Sequence, residues 1–97
     1  MTLYIDPPHW PGHGRFWSHL ISDASLDELH AFAGRLGLPE RAFDGDHYDV
    51  ASASYADAVA LGAVEVGSKD VVRLLTAAGL RRRKRGRRNP AAPRQGG

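Results

Sequence analysis

The sequence predicts a small α/β domain with about four mostly parallel strands and three helices, followed by a basic C-terminal tail. Three observations predict it. Short apolar or β-branched runs at residues 3–5, 16–22 and 64–66 alternate with stretches of helical period. A capping box, Ser25-Leu26-Asp27-Glu28, opens the clearest helix. Gly37, Gly62 and Gly79 stand where the helical patterns run out. With 97 residues there is one domain at most, placed at 1–80, with the tail at 81–97.

Leu3-Tyr4-Ile5 reads as a first strand broken by Pro7-Pro8. Asp6 then sits at a strand end, a favoured site position in α/β sheets; an Asp opening a turn before proline is the plainer reading. Residues 7–14 hold three prolines and two glycines and read as a loop without regular structure. His9 and His13 in that loop are four apart, yet a Pro/Gly loop cannot present them as a helical ligand pair. Residues 16–22 are aromatic and β-branched enough for a second strand, with a short helical stretch as the alternative. As a strand it puts Trp17, His19, Ile21 and Asp23 on one face.

The helix at 26–36 buries Leu26, Leu29, Ala33 and Leu36 and leaves His30 beside that stripe. A third strand leads through residues 41–43 into Asp44-Gly45-Asp46-His47-Tyr48-Asp49. A second helix runs from a Ser54 cap to about Leu61, a fourth strand covers 64–66, and a third helix covers 69–78 with Val71, Val72, Leu74 and Leu75 as its apolar face. In this topology the strand C-terminal ends meet at one edge, which gathers Asp6, Asp23, Asp46, His47 and Asp49.

Charge divides the chain. Of 13 Lys and Arg, eight lie in residues 81–97, where there is no acid; residues 1–80 keep the other five and all 11 acids. The pI of 9.4 therefore belongs to the tail. A segment without apolar side chains cannot offset its ordering entropy, so a disordered tail is expected. Its run at 81–88 suits nucleic acid through counterion release, without an aromatic to stack a base; a solvated extension is the plain alternative. The absence of cysteine excludes a disulfide framework, a thiol nucleophile and Cys-based zinc sites, and fits a cytoplasmic protein. The first residues lack the features of a signal peptide, and no apolar run is long enough to span a membrane.

The densest chemistry is Asp46-His47-Tyr48-Asp49. Two carboxylates and an imidazole are ligand and acid–base types, and carboxylates held close recruit a cation or raise a pKa. Neighbours on a strand face opposite ways, so a turn at Gly45 is needed for Asp46 and His47 to share a pocket. Arg15, after Gly14, suits phosphate or carboxylate. No Gly-x-Ser-x-Gly turn, Walker loop or dinucleotide fingerprint is present.

Gly14-Arg15, His19-Leu20-Ile21-Ser22-Asp23, Glu28-Leu29-His30, Gly45-Asp46-His47-Tyr48-Asp49 and Ala58-Val59-Ala60 with Gly62-Ala63 together resemble the family of short bacterial and phage proteins known as domain of unknown function 4031. The resemblance covers roughly residues 3–80. It implies that Arg15, His19, Asp23, His30 and the group from Asp46 to Asp49 form one family pattern, and it brings no established activity.

Two functions compete. In a metal-assisted hydrolase or phosphoesterase, a divalent ion of unknown identity sits on Asp46, His47 and Asp49 with Asp23 or His19. His19 or His30 moves protons, and Arg15 with Tyr48 holds a phosphate-containing small molecule. In a non-catalytic module, the same cluster binds a nucleotide, nucleic acid or protein. An enzyme of this size is expected to need a homodimer to close its pocket.

Overall fold

A computed structural model of the chain describes residues 2–81. The longest strand, β3 (Arg15–Ser22), forms the spine of the sheet; β1 is Leu3–Ile5, β2 Trp10–Gly12, β4 Tyr48–Ala51 and β5 Val64–Glu65. Three helices follow the expected order: α1 (Leu26–Leu36), α2 (Tyr55–Ala60) and α3 (Ser68–Ala78). The domain is α/β as predicted, with a five-stranded mixed sheet. The expected disorder and nucleic-acid role of the tail concern residues that, Arg81 apart, lie outside those described.

The mostly parallel sheet is corrected. β3 pairs antiparallel with β1, β2 and β4, and only β5 runs parallel to its neighbour β1. A parallel partner needs a crossover of a dozen or more residues, and the stretch between Ile5 and Arg15 is too short for one. It makes a hairpin instead. His13 and Gly14 form its two-residue tip, both with positive φ (51° and 75°), as a tight twisted hairpin requires. Residues 10–12 are thus a strand where three prolines and two glycines had pointed to an irregular loop. Pro11 is tolerated because β2 is an edge strand.

Leu20 pairs with Ile5 on one side and with Tyr48 on the other, and Trp17 pairs with Trp10 and Ala51. β1 and β2 therefore lie end to end along the same side of β3. Pro7-Pro8 interrupts that line, and Asp6 sits in the break.

Ser25 caps α1 by accepting from the amide of Glu28 at 3.0 Å. The Glu28 carboxylate does not close the expected reciprocal box; it accepts from the Ser22 hydroxyl at 2.5 Å, tying α1 to the end of β3. Gly37 (φ 83°) ends the helix in the left-handed region, where a side chain would be strained. Leu29, Phe32 and Ala33 of α1 pack with Ile5, Leu20, Tyr48 and Val50 on one sheet face. Each large buried side chain is worth about 1.5–3 kcal/mol. Ile21 points the other way, onto Val71 and Leu75 of α3. Val72, expected on the apolar face, is 44% exposed. α3 covers only the Ile21 end of its sheet face. The other end, carrying His19 and Trp17, stays open.

Candidate functional site

The site is built around the break in the β1–β2 line. Where Pro7-Pro8 interrupts the ladder, the Asp6 side chain supplies acceptors to β3 and β2. One oxygen accepts from the backbone amide of His19 at 2.6 Å, and the other meets His19 Nδ1 at 2.8 Å and the Trp10 indole N–H at 3.2 Å. Asp6 is fully buried. Burial raises its pKa, but the ring and amide of His19 and the Trp10 indole outweigh that, and the carboxyl sits below its ordinary 3.8. An ionised carboxylate only accepts, so Nδ1 of His19 carries the proton and Nε2 is left as the acceptor of the ring.

His47 is held in the same way from the neighbouring strand. Gly45 (φ 79°) turns the chain at 44–47, and Asp46, also buried, lies 2.7 Å from His47 Nδ1. This turn relaxes the strand alternation that would send Asp46 and His47 to opposite faces. The cluster thus leads into β4, whose first two residues are Tyr48 and Asp49, and does not end a strand, contrary to the sequence expectation; Phe43 bridges Tyr48 across the turn. His47 Nε2 lies 3.2 Å from Asp49. Burial alone would lower the pKa of His47; Asp49 and Asp46 reverse the sign and hold it above 6.5.

His19 and Asp49 are directly paired across β3 and β4, so their side chains share a face. The His19 and His47 rings lie 4.9 Å apart, near perpendicular. Ligand atoms of His19, His47 and Asp49 all fall within 4.8 Å of one another. Two imidazoles and a carboxylate at this spacing can surround one divalent ion. Asp6 and Asp46 stand behind the histidines, where metal sites commonly place the carboxylates that fix the ligating ring.

A family model described as "Protein of unknown function (DUF4031)" matches residues 3–78. The chain belongs to the DUF4031 family. No curated protein and no solved structure matches it. The DUF4031 match takes in every strand and helix described above and the whole His–Asp group.

The remaining sequence candidates of the DUF4031 domain scatter. Asp23 is corrected out of the cluster: because β1 and β3 are antiparallel, it lies at the far end, accepting from the Thr2 amide at 2.8 Å and the Tyr4 hydroxyl at 3.4 Å. Tyr48 is buried on the α1 face, and its hydroxyl is 2.7 Å from His30 Nδ1. Tyr48 and Asp49 are consecutive in β4, so His30 is separated from His19 by the sheet. Arg15 is exposed at the start of β3, its guanidinium 5.8 Å from the centre of the Trp17 ring. A cavity of about 620 Å³ opens beside the His–Asp group, with Trp10, His13, Arg15, Trp17 and Arg41 in its wall. Arg41 escaped the sequence reading, because it has no local pattern to mark it.

Proposed function

We propose that the domain is a metal-assisted hydrolase of phosphate esters, with a divalent cation on His19, His47 and Asp49. The observation that carries the reading is that both histidines are locked at Nδ1 by buried carboxylates, Asp6 at 2.8 Å and Asp46 at 2.7 Å. A buried carboxylate is costly unless paired, and two such pairs aimed at one point are more than a surface network needs. Asp46, expected as a ligand, becomes the residue that orients one.

His19, His47 and Asp49 would hold the cation, which would supply a water of lowered pKa and neutralise developing charge. The water oxygen bonds to phosphorus while the bond to the leaving oxygen breaks. That oxygen keeps the electron pair and takes the proton given up by the water. His30 has no part in this, since it lies across the sheet.

The test is metal content of the full chain purified without chelator or affinity histidines, followed by titration with manganese, magnesium and zinc. One equivalent of bound metal is expected, lost in His47→Ala and Asp49→Ala variants that keep the wild-type circular dichroism. A protein that takes up none of these metals sinks the hydrolase reading. It would leave the second reading, a binding module, which the cavity of arginines and tryptophans favours. In that module the basic run at 81–88 adds salt-sensitive affinity for nucleic acid, and deletion of residues 81–97 abolishes it.

A further inference from the structure

We infer that the cavity beside the His–Asp group takes a nucleoside phosphate, with the base against Trp10, the phosphate on Arg41 and Arg15, and the ester turned toward His19 and Asp49. This names the substrate class of the proposed metal site and rests on that reading.

The wall of the cavity connects the two regions. His19 and Asp49 line it, so an ester bound there lies next to the cation. Charge selects an anion. Of the five Lys and Arg in residues 1–80, Arg15 and Arg41 both line the cavity, whereas Asp49 is the only one of the 11 acids that does. Among the described residues neither arginine is in an ion pair. A guanidinium left unpaired in a concave wall suits the two-pronged recognition of phosphate.

An anion alone would need no aromatic wall. Both tryptophans of the chain are in it. Their indole N–H groups are already bonded, Trp10 to Asp6 at 3.2 Å and Trp17 to the Gly12 carbonyl at 2.8 Å, so each ring is held in place before a ligand arrives. Trp17 carries Arg15 above its ring, and Trp10 remains 44% exposed. A preplaced, exposed indole stacks a base of any sequence. The volume, about 620 Å³, falls within the range of small-molecule sites and exceeds what a bare phosphate fills. On hydrolysis, water oxygen joins phosphorus, the bond from phosphorus to the nucleoside oxygen breaks, and that oxygen leaves with the electron pair and takes the proton.

Calorimetric titration of the full chain with manganese, then with adenosine 5′-monophosphate, ribose 5-phosphate or adenosine, tests this. The mononucleotide is expected to bind at least about tenfold tighter than either fragment, a factor in the range of one stacked base. Arg41→Ala should weaken the mononucleotide and ribose 5-phosphate alike and leave manganese affinity unchanged. Trp10→Ala should bring the mononucleotide down to the level of ribose 5-phosphate, while Trp10→Phe keeps the preference. Manganese binding with no advantage of the mononucleotide over ribose 5-phosphate overturns the nucleoside assignment and leaves the metal site standing. Failure to bind manganese, magnesium and zinc alike overturns the metal reading, and the substrate assignment falls with it.

Discussion

Asp6 grips His19 with both carboxylate oxygens, one on the backbone amide at 2.6 Å and one on the ring at 2.8 Å. The same side chain therefore completes the sheet at the proline break and fixes the tautomer of the ring. Structure and site are joined at one residue. Asp6→Asn separates the two tasks. Its amide oxygen can still accept from the His19 backbone, but its NH2 group now faces Nδ1 and favours the tautomer with the proton on Nε2. Metal affinity is expected to fall about 10–100-fold, the usual cost of losing such an orienting partner, in a protein that keeps its fold. Calorimetry with manganese and circular dichroism of the same samples check both halves.

His47 lies between Asp46 at 2.7 Å and Asp49 at 3.2 Å, and its pKa is held above the ordinary 6.5. Its pairing stabilises the metal-free fold fully below 6.5 and is lost as pH rises through the folded-state value. The urea midpoint of chelator-treated protein should therefore decline as the pH rises above 6.5. His47→Gln should flatten the decline. A divalent ion would replace the proton between Nε2 and Asp49, so with metal present the decline should vanish or reverse.

Asp23 and Asp49 looked alike in the sequence, and the sheet sends them to opposite ends. Asp23→Ala removes the acceptor of the Thr2 amide and the Tyr4 hydroxyl. A loss of about 1–2 kcal/mol is expected, from one or two partly exposed hydrogen bonds, with metal affinity untouched. Asp49→Ala should do the reverse: small change in the urea midpoint, and loss of the metal. Equal effects of the two variants on metal uptake would contradict the placement of Asp23.

How far the sequence could be read follows from which signals are local. The capping serine and Gly37 fixed helix α1 to the residue, because helix ends are set by neighbours. Strand direction was misjudged, because it depends on how the chain returns, and a two-residue hairpin at His13-Gly14 is a weak signal when His replaces the usual Asn or Asp. The site was half legible. Asp46, His47 and Asp49 are adjacent in sequence and stood out. Asp6 and His19 meet them only through the antiparallel pairing of β3 with β1 and β4, and Trp10 and Arg41 join the same cavity from two further segments.

The pair of Tyr48 and His30 is the control for all of these. Burial, and then the charge of Glu40, push the Tyr48 hydroxyl above its usual 10.0, so it stays neutral, and it lies 2.7 Å from His30 Nδ1. Phe43 packs on both rings, at 4.6 Å from His30 and 5.3 Å from Tyr48. This polar contact sits on the α1 face and binds helix to sheet. Tyr48→Phe should cost about 1 kcal/mol by removing one hydrogen bond while keeping the ring. His30→Ala should cost less, because His30 is exposed and water can replace it at the hydroxyl. A double-mutant cycle in urea should give a coupling of at least about 0.5 kcal/mol for side chains in direct contact. Metal affinity and phosphate-ester hydrolysis should be unchanged in all three variants, since the sheet separates this pair from His19. A fall in either in Tyr48→Phe, at a temperature where the protein is folded, would return His30 to the chemistry and undo the division of the sheet into a packing face and a reacting face.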